Sequence, residues 1–345
     1  MMAELRFDPA ADEWVIMAHE RIGRPSDFEV HQKHKPAPSW VDDCPFCPGN
    51  ESLTPPELAV YCKNEDTSKW QVRVIPNKFP ALNPGISAEK RFVDKYFEGV
   101  EGIGHHEVVV ESPIHNEKIS EMDPSDVELI LKAYIDRVRV LSEREYVKSV
   151  VIFKNHGPSA GTSILHPHSQ IIATPTLTNQ MRKRLQVAVE YYSRMKNCLY
   201  CDINKWEHES GRRIIYEGKY FIVFNPYASH YSYETWISPI EHSSCFSNIN
   251  RGEVEELSGV LPDILRRIES ILGNPDYNYI LHTALNRCNG DWPLHWYIQI
   301  VPRISVIGGF EIGSGTYINP TLPEDAAKSM RTYYQLKIAD QGETQ

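Results

Sequence analysis

The 345-residue sequence lacks the features of several large classes of protein. No apolar run approaches the roughly 20 residues of a membrane-spanning helix, and the first residues contain no apolar signal-peptide core. No segment is dense in lysine or arginine, and the net charge is −10. Because binding to a nucleic-acid backbone requires clustered cations, we expect no nucleic-acid partner. We therefore expect a cytoplasmic protein that binds neither membrane nor nucleic acid.

A glycine-rich loop of the Walker type is also missing, which argues against an NTP-driven kinase. There is no low-complexity tract, and 41% of the residues are hydrophobic and 24% charged, as in globular proteins. A chain of this length can form two domains of ordinary size, each with its own core.

The cysteines do not form a complete disulfide set, since there are seven of them. Four fall into two Cys-x-x-Cys pairs, Cys44 with Cys47 and Cys198 with Cys201. In a reducing compartment this spacing favours a metal site over a disulfide, and a redox-active dithiol is the usual alternative.

The order of motifs in the first half of the chain recurs in the second half. His115 follows Ser-Pro-Ile, and His242 follows the same three residues with one insertion. Further on, Leu-His-Pro-His-Ser-Gln-Ile at 165–171 matches Leu-His-Trp-Tyr-Ile-Gln-Ile at 294–300. The ordered agreement of several landmarks predicts a duplicated unit.

Each predicted unit combines strands with a long helix. Helical periodicity predicts one helix from Pro124 to about Glu145 and another over Arg251–Leu272. We predict an α+β protein with an N-terminal catalytic domain at 1–185 and a C-terminal domain at 186–345.

The duplicated Cys-x-x-Cys pairs are each accompanied by two histidines at nearly matching intervals. Two thiolates and two imidazoles form a closed tetrahedral zinc site, whereas a redox pair has no need of such histidines. The two predicted Zn²⁺ sites comprise Cys44, Cys47, His115 and His166 in the first half, and Cys198, Cys201, His242 and His295 in the second.

One histidine is not shared between the halves, because Tyr297 occupies the position equivalent to His168. On an extended strand, side chains two residues apart share a face, so His166, His168 and Gln170 are predicted to point the same way. The shared residues are interpreted as architectural and His168 as the catalytic candidate. A metal-ligand pair or a hydrogen-bonded core histidine is the alternative interpretation.

These motifs resemble the galactose-1-phosphate uridylyltransferase family, the transferase branch of the histidine-triad superfamily, over nearly the whole chain. Hydrolases of that superfamily have a third histidine where this chain has Gln170, and glutamine resembles the transferases. The resemblance implies two tandem histidine-triad-like units, each an antiparallel sheet with packed helices. It is carried by Arg21-x-x-Arg24-Pro25, Cys44-x-x-Cys47, Asn77, His115, Asn155, Ser163, His166-Pro167-His168-x-Gln170 and Gly309-Phe310-Glu311.

The resemblance also implies roles for individual residues. His168 would be the nucleophile that takes up a nucleoside monophosphate, and Gln170 and Ser163 would hold the transferred phosphoryl oxygens. A homodimer is implied, in which each active site receives residues from the other subunit. The contacts implied for nucleotide, phosphates and sugar hydroxyls are Arg21, Arg24, Asn77, Asn155 and Glu311.

Three functions follow as hypotheses. The first is ping-pong nucleotidyl transfer between a nucleotide sugar and a sugar 1-phosphate, converting UDP-glucose and galactose 1-phosphate to UDP-galactose and glucose 1-phosphate. The second is transfer of the adenylyl group of ADP-glucose to phosphate, since the chain is also similar to plant ADP-glucose phosphorylases in Gly-Gly-Phe-Glu-Ile-Gly and Tyr-Ile-Asn-Pro. The third is a zinc-stabilised nucleotide-binding protein without turnover. Nucleobase and acceptor stay open.

Overall fold

The computed structural model describes residues 3–21, 37–63, 66, 69–85, 89–284 and 292–342, with side chains as far as residue 333. Its central element is a sheet of ten strands in which all neighbours are antiparallel. In spatial order the strands are β10 (Ile214–Glu217), β11 (Phe221–Phe224), β12 (Thr235–Pro239), β14 (Tyr297–Pro302), β13 (Tyr277–His282), β8 (Ser149–His156), β9 (His168–Thr174), β7 (His105–Val110), β4 (Val72–Pro76) and β3 (Ala59–Tyr61).

The two halves of the chain meet in the middle of this sheet. Strand β8 from the first half pairs with β13 from the second, and Phe153 lies opposite Ile280. The backbone hydrogen bonds of the ladder therefore run without interruption from one half to the other.

Two smaller sheets and six helices complete the described part of the chain. The remaining strands are β1 (Glu4–Asp8), β2 (Glu13–Met17) and β15 (Tyr317–Asn319), which form one sheet, and the hairpin of β5 (Lys90–Phe92) and β6 (Glu98–Val100). The helices are α1 (Pro124–Ser142), α2 (Asn179–Met195), α3 (Leu199–Ser210), α4 (Arg251–Leu272), α5 (Gly309–Ser314) and α6 (Pro323–Gly342). None of the described helices combines the length and apolar character needed to cross a membrane.

Helices α1 and α4 cover one face of the large sheet and build the main core with it. Leu131 of α1 and Ile264 of α4 are fully buried there, as are Ile171 and Ile298 of the sheet. Because side chains alternate along a strand, the neighbours of these sheet residues project from the opposite face, which we call the site face. His168 and Gln170 belong to the site face.

Local sequence explains the ends of the two long helices. The side chain of Asn250 accepts a hydrogen bond from the backbone N–H of Glu253, whose carboxylate accepts one in return. Gly273 ends α4 in a left-handed conformation, with φ of 74°. Pro124 occupies the first turn of α1. The antiparallel α+β fold and the predicted helices are thus confirmed, although α1 ends at Ser142.

The two Cys-x-x-Cys pairs share a spacing but lie in different local structures. Cys44 and Cys47 do lie in a tight turn, in which Cys47 N donates to Cys44 O at 3.2 Å. Cys198 is instead the N-cap residue of α3, and Cys201 lies in its first turn. The residues after Cys201 continue as a helix up to Gly211, whose φ of 63° ends it, so the same spacing serves two local structures.

The predicted domain boundary at residue 185 falls within α2. The ten-stranded sheet and the main core contain residues of both halves. The division into residues 1–185 and 186–345 stays a prediction.

A buried ion pair lies beneath β9 on the helical side of the sheet. Lys154 Nζ contacts the carboxylate of Glu111, and the two side chains are 2% and 0% exposed. The hydroxyl groups of Tyr134 and Tyr279 lie 3.2 and 3.3 Å from Glu111 Oε1. Lys154 Nζ also donates to the backbone carbonyl of His168 at 3.3 Å. This network supports the backbone of β9 where that strand begins.

We predict that Lys154→Met lowers the free energy of unfolding by about 3–5 kcal/mol, because Glu111 is left buried without its counter-ion. Urea unfolding followed by circular dichroism measures the change. Lys90→Met is the matched control, since the Lys90–Glu98 pair is exposed and contributes little. Equal midpoints for the two variants would contradict the assignment.

Candidate active site

The first predicted ligand set comes together in the structure. Cys44 Sγ lies 3.7 Å from His166 Nδ1. Cys47 Sγ lies 3.5 Å from His115 Nδ1 and 3.6 Å from His166 Nδ1. All four potential ligand atoms are within 4.8 Å of one another. Tetrahedral zinc with bonds of about 2.0–2.3 Å separates its ligands by roughly 3.3–3.8 Å, so these side chains fit such an ion.

Hydrogen bonds already orient His166 for this task. Its Nε2 lies 2.7 Å from the carbonyl oxygen of Ser112, so Nε2–H donates and Nδ1 turns its lone pair towards the cysteines. Burial lowers the pKa of His166 to about 4. The imidazole is therefore neutral near pH 7, as a metal ligand must be.

The second predicted ligand set repeats this arrangement. Cys201 Sγ lies 3.4 Å from His242 Nδ1 and 3.6 Å from His295 Nδ1. The Nε2 atoms of the two histidines meet backbone carbonyls, at 3.1 Å for His242 and 2.9 Å for His295. With Cys198 these residues form a cluster of the same size as the first. The protein thus has two Cys/Cys/His/His clusters whose donors are suited to zinc.

His168 begins β9, two residues after His166, and is nearly buried. Its Nδ1 lies 2.8 Å from the carbonyl oxygen of His166, so Nδ1–H donates and the lone pair is on Nε2. Burial lowers the pKa of His168, and the nearby Lys154 cation also lowers it. The side chain is thus a neutral imidazole in the tautomer suited to nucleophilic attack through Nε2.

Gln170 follows on the same face of β9 and is half-buried. Its Oε1 lies 2.7 Å from His106 Nε2 on β7 and 3.4 Å from Asn77 Nδ2. The structure therefore joins two of the predicted residues, Gln170 and Asn77, through direct contact. His106 was missed by the sequence analysis, although the alternation of side chains on a strand such as β7 places it on the same face as Val108, opposite Gln170.

Of the other predicted residues, several lie in or beside cavities. One cavity, of about 370 Å³, is lined by His166, His168 and Asn155. Ser163 is exposed, and its neighbours Thr162 and Ile164 line the same cavity.

Arg21 and Glu311 line a separate cavity of about 80 Å³. Glu311 Oε2 accepts a hydrogen bond from Gly308 N at 3.0 Å, so it also caps α5. Arg24 lies outside the described residues.

A larger cavity of about 540 Å³ has lining residues in common with both. It shares Asn155 with the cavity of His168, and it shares His230, Tyr231 and Tyr317 with the cavity of Arg21. Within one chain, His168 and Asn155 therefore line one cavity, and Arg21 and Glu311 line another.

The last strand of the second half lacks the residues proposed to act in the first half. Tyr297 replaces His168, and Gln299 is buried where Gln170 is partly accessible. Gln299 Oε1 lies 2.9 Å from His282 Nε2, and its amide nitrogen donates to Glu234 Oε1 at 2.7 Å. Both ends of this amide are occupied, so it has little capacity to bind a substrate oxygen.

Comparisons with known proteins agree with this geometry. The family described as galactose-1-phosphate uridyl transferase, N-terminal domain, matches residues 1–178. The ADP-glucose phosphorylase of Arabidopsis thaliana is 37% identical over 95% of this chain and 92% of its own length. The galactose-1-phosphate uridylyltransferase of Thermotoga maritima is 27% identical over 96% of this chain and 98% of its own.

Solved structures show the same fold. The crystal structure of the Arabidopsis thaliana ADP-glucose phosphorylase with bound ADP-glucose has a TM-score of 0.81 at 36% identity, covering 95% of this chain and 98% of that one. A uridylyltransferase structure has a TM-score of 0.74 at 25% identity, covering 96% and 98%.

We predict two zinc ions per chain in the purified protein, because each cluster offers four ligands of the type zinc prefers. Metal analysis of Cys47→Ala should give about one ion. Its melting temperature should also fall, since structural zinc contributes directly to folding. Cys62→Ala, outside both clusters, should keep both ions. Unchanged metal content in Cys47→Ala would exclude the first site.

Proposed function

Since the chain belongs to the galactose-1-phosphate uridylyltransferase family, we propose that it transfers a nucleoside monophosphate from a nucleotide sugar through a covalent intermediate on His168. The observation that carries this proposal is the tautomer of His168, whose Nδ1–H donates to the carbonyl of His166. His168 also lines the cavity of about 370 Å³, where its unprotonated Nε2 would be available to a bound phosphate.

The first displacement begins with attack of His168 Nε2 on the phosphorus attached to the nucleoside. A nitrogen–phosphorus bond forms, the bond to the bridging oxygen breaks, and a sugar 1-phosphate leaves. The imidazole becomes positively charged as it attacks, and the hydrogen bond from Nδ1–H to the carbonyl of His166 stabilises that charge. In the second displacement the acceptor's oxygen attacks phosphorus and releases His168 unchanged.

Two displacements suit these substrates because only one phosphorylated partner need be bound at a time. Direct transfer would bring two anions together. Preplaced donors are needed for the phosphoryl oxygens, and the amide nitrogen of Gln170 is the candidate. Ser163 is exposed near the cavity and is retained as a second candidate.

The proposed role of zinc is structural. An ion held by Cys44, Cys47, His115 and His166 would fix the backbone of His166, and with it the carbonyl that orients His168. The residues at this cluster fit the ion, as their spacing shows. The chemistry at phosphorus is left to His168 and its neighbours.

Of the two candidate reactions, we favour adenylyl transfer from ADP-glucose to inorganic phosphate. The support is the greater identity to an ADP-glucose phosphorylase, 37%, than to the uridylyltransferase of Thermotoga maritima, 27%. Uridylyl transfer from UDP-glucose to galactose 1-phosphate is the second candidate, because both activities occur among the relatives. The two share the covalent step and differ in nucleobase and acceptor.

We also propose that the active protein is a homodimer. Arg21 and Glu311 line a different cavity from His168, so a partner subunit could bring its own copies to each nucleophile. The β5–β6 hairpin exposes Phe92, Tyr96 and Phe97 at 77%, 79% and 65%, an apolar surface of the kind that subunit contacts cover.

Incubation with ADP-glucose should add one adenosine monophosphate per chain, because His168 takes up the nucleotide before an acceptor is bound. Intact mass spectrometry measures the adduct, and a parallel incubation with UDP-glucose tests uridylyl transfer. Addition of inorganic phosphate should discharge the adduct and release ADP. Absence of an adduct with both sugars would favour the third hypothesis, a binding protein without turnover.

His168→Gly and His166→Gly should differ in kind. The first should abolish labelling and transfer while two metal ions and the melting temperature are retained, because His168 is not a ligand of either cluster. The second should lose one ion, stability and labelling together. Labelling rate, metal content and melting temperature are measured on both. Equal metal loss in the two variants would contradict the division of roles.

A further inference from the structure

We propose that His106 is a positioning residue that fixes the amide of Gln170, so that the amide nitrogen of Gln170 faces the phosphoryl group being transferred. This inference rests on the proposed function, since it concerns the donor that the covalent step requires. His106 lies on β7, beside β9, and its position is opposite Ile172 in the register of the two strands. Gln170 is therefore its diagonal neighbour on the site face.

The tautomer of His106 follows from its surroundings. The backbone N of Ala81 lies 3.1 Å from His106 Nδ1. A backbone N–H can only donate, so Nδ1 is an acceptor and the hydrogen of the neutral ring is on Nε2. Nε2–H points at Gln170 Oε1, 2.7 Å away. Asn77 Nδ2 also lies 3.1 Å from His106 Nε2, but with the hydrogen on Nε2 this amide nitrogen has its acceptor in Gln170 Oε1 and not in the ring.

The orientation of the Gln170 amide follows in turn. Besides His106 Nε2, the amide nitrogen of Asn77 approaches Gln170 Oε1, at 3.4 Å. Asn77 is itself fixed, because its Oδ1 accepts a hydrogen bond from Phe79 N at 2.8 Å. Two donors converge on one atom of Gln170, which must be the oxygen. Flipping the amide would place its NH₂ against both donors and lose the hydrogen bonds.

This fixed orientation matters because only one end of the amide can serve the reaction. The nitrogen can donate to a phosphoryl oxygen, whereas the oxygen would repel it. A donor held in place before the reaction costs no reorganisation when charge develops. A freely rotating glutamine would present the wrong end part of the time.

The second half also contains a histidine whose ring nitrogen contacts the oxygen of a strand glutamine. His282 Nε2 lies 2.9 Å from the oxygen of Gln299, but His282 is on β13, after the long helix of its half, whereas His106 is on β7, before it. The nitrogen of Gln299 is then taken by Glu234. In both halves a histidine fixes the oxygen end of the amide. Only the first half places that amide on a strand with a nucleophilic histidine.

A purely structural role is the alternative for His106. Its backbone carbonyl accepts a hydrogen bond from Asn77 N at 2.8 Å, and its ring accepts one from Ala81 N, so it also holds the segment after β4. The experiment must therefore separate loss of positioning from loss of fold.

The test is a double-mutant cycle on the rate of nucleotide labelling. His106→Phe keeps a ring but removes the donor, and we expect labelling to slow by roughly 10- to 100-fold, as for loss of a preorganised donor. Gln170→Ala should slow labelling to a similar degree. If His106 acts through Gln170, His106→Phe should have little further effect in the Gln170→Ala background. Metal content and melting temperature should match those of the unmodified protein.

Two further variants test the role of the His106 donor and serve as a control. His106→Gln can still donate through its amide nitrogen and should recover part of the rate. His105→Phe is the matched control, because His105 lies on the other face of β7 against Tyr146 and should leave labelling unchanged. Multiplicative rate losses in the double variant would overturn the proposal, and so would a loss of melting temperature that accounts for the effect.

A measurement that does not depend on turnover keeps the two proposals distinguishable. The ¹⁵N chemical shifts of His106 should show the neutral tautomer with hydrogen on Nε2. The opposite tautomer would overturn the positioning role even if the unmodified protein forms the adduct. Absence of the adduct in the unmodified protein, with the expected tautomer present, would overturn the proposed function and with it the role in transfer.

Discussion

The site depends on the three contacts of His166. Its Nδ1 faces the two cysteines, its Nε2 donates to Ser112, and its backbone carbonyl accepts the Nδ1–H of His168. One residue thus connects the Cys/Cys/His/His cluster, the segment after β7 and the proposed nucleophile, His168. Because each contact uses a different atom, all three exist together, and a shift of His166 would move the tautomer-fixing carbonyl away from His168. The Cys/Cys/His/His cluster would therefore affect the proposed reaction by fixing the position of His166.

Because side chains alternate along β9, the candidate site residues and the supporting polar residues project from opposite faces of this strand. His168 and Gln170 project from the site face, where a substrate can reach them. Ser169, between them, projects towards the helices, and its hydroxyl oxygen lies 2.6 Å from the hydroxyl of Tyr134. The buried pair of Lys154 and Glu111 belongs to that hidden side. The site face is therefore supported by a buried polar network, of which Lys154 also lines the cavity of His168.

A duplication accounts for the structural elements that the two halves share, although the proposed catalytic residues occur in the first half alone. Both halves contain a Cys/Cys/His/His cluster and a glutamine on the last strand of the unit, although the histidines that contact the two glutamines come from strands that do not correspond. The halves also share one sheet, so neither cluster stabilises an isolated unit. What differs is the position of His168, filled by Tyr297, and the environment of the glutamine nitrogen. The second half therefore lacks counterparts of both the proposed nucleophile and the proposed donor.

The sequence by itself determined the long helices and the two ligand sets, because these depend on local periodicity, capping residues and a spacing repeated twice, whereas the antiparallel sheet was implied by the family resemblance. Cys198 and Cys201 show the limit of spacing, since the same pattern that forms a turn in the first half opens a helix in the second. The fit of His106 to Gln170 was decided by the tertiary structure, because the register of β7 against β9 brings together residues 64 positions apart. The burial of Lys154 against Glu111 has the same origin, and a charged residue in a strand sequence does not reveal which face will hold its partner.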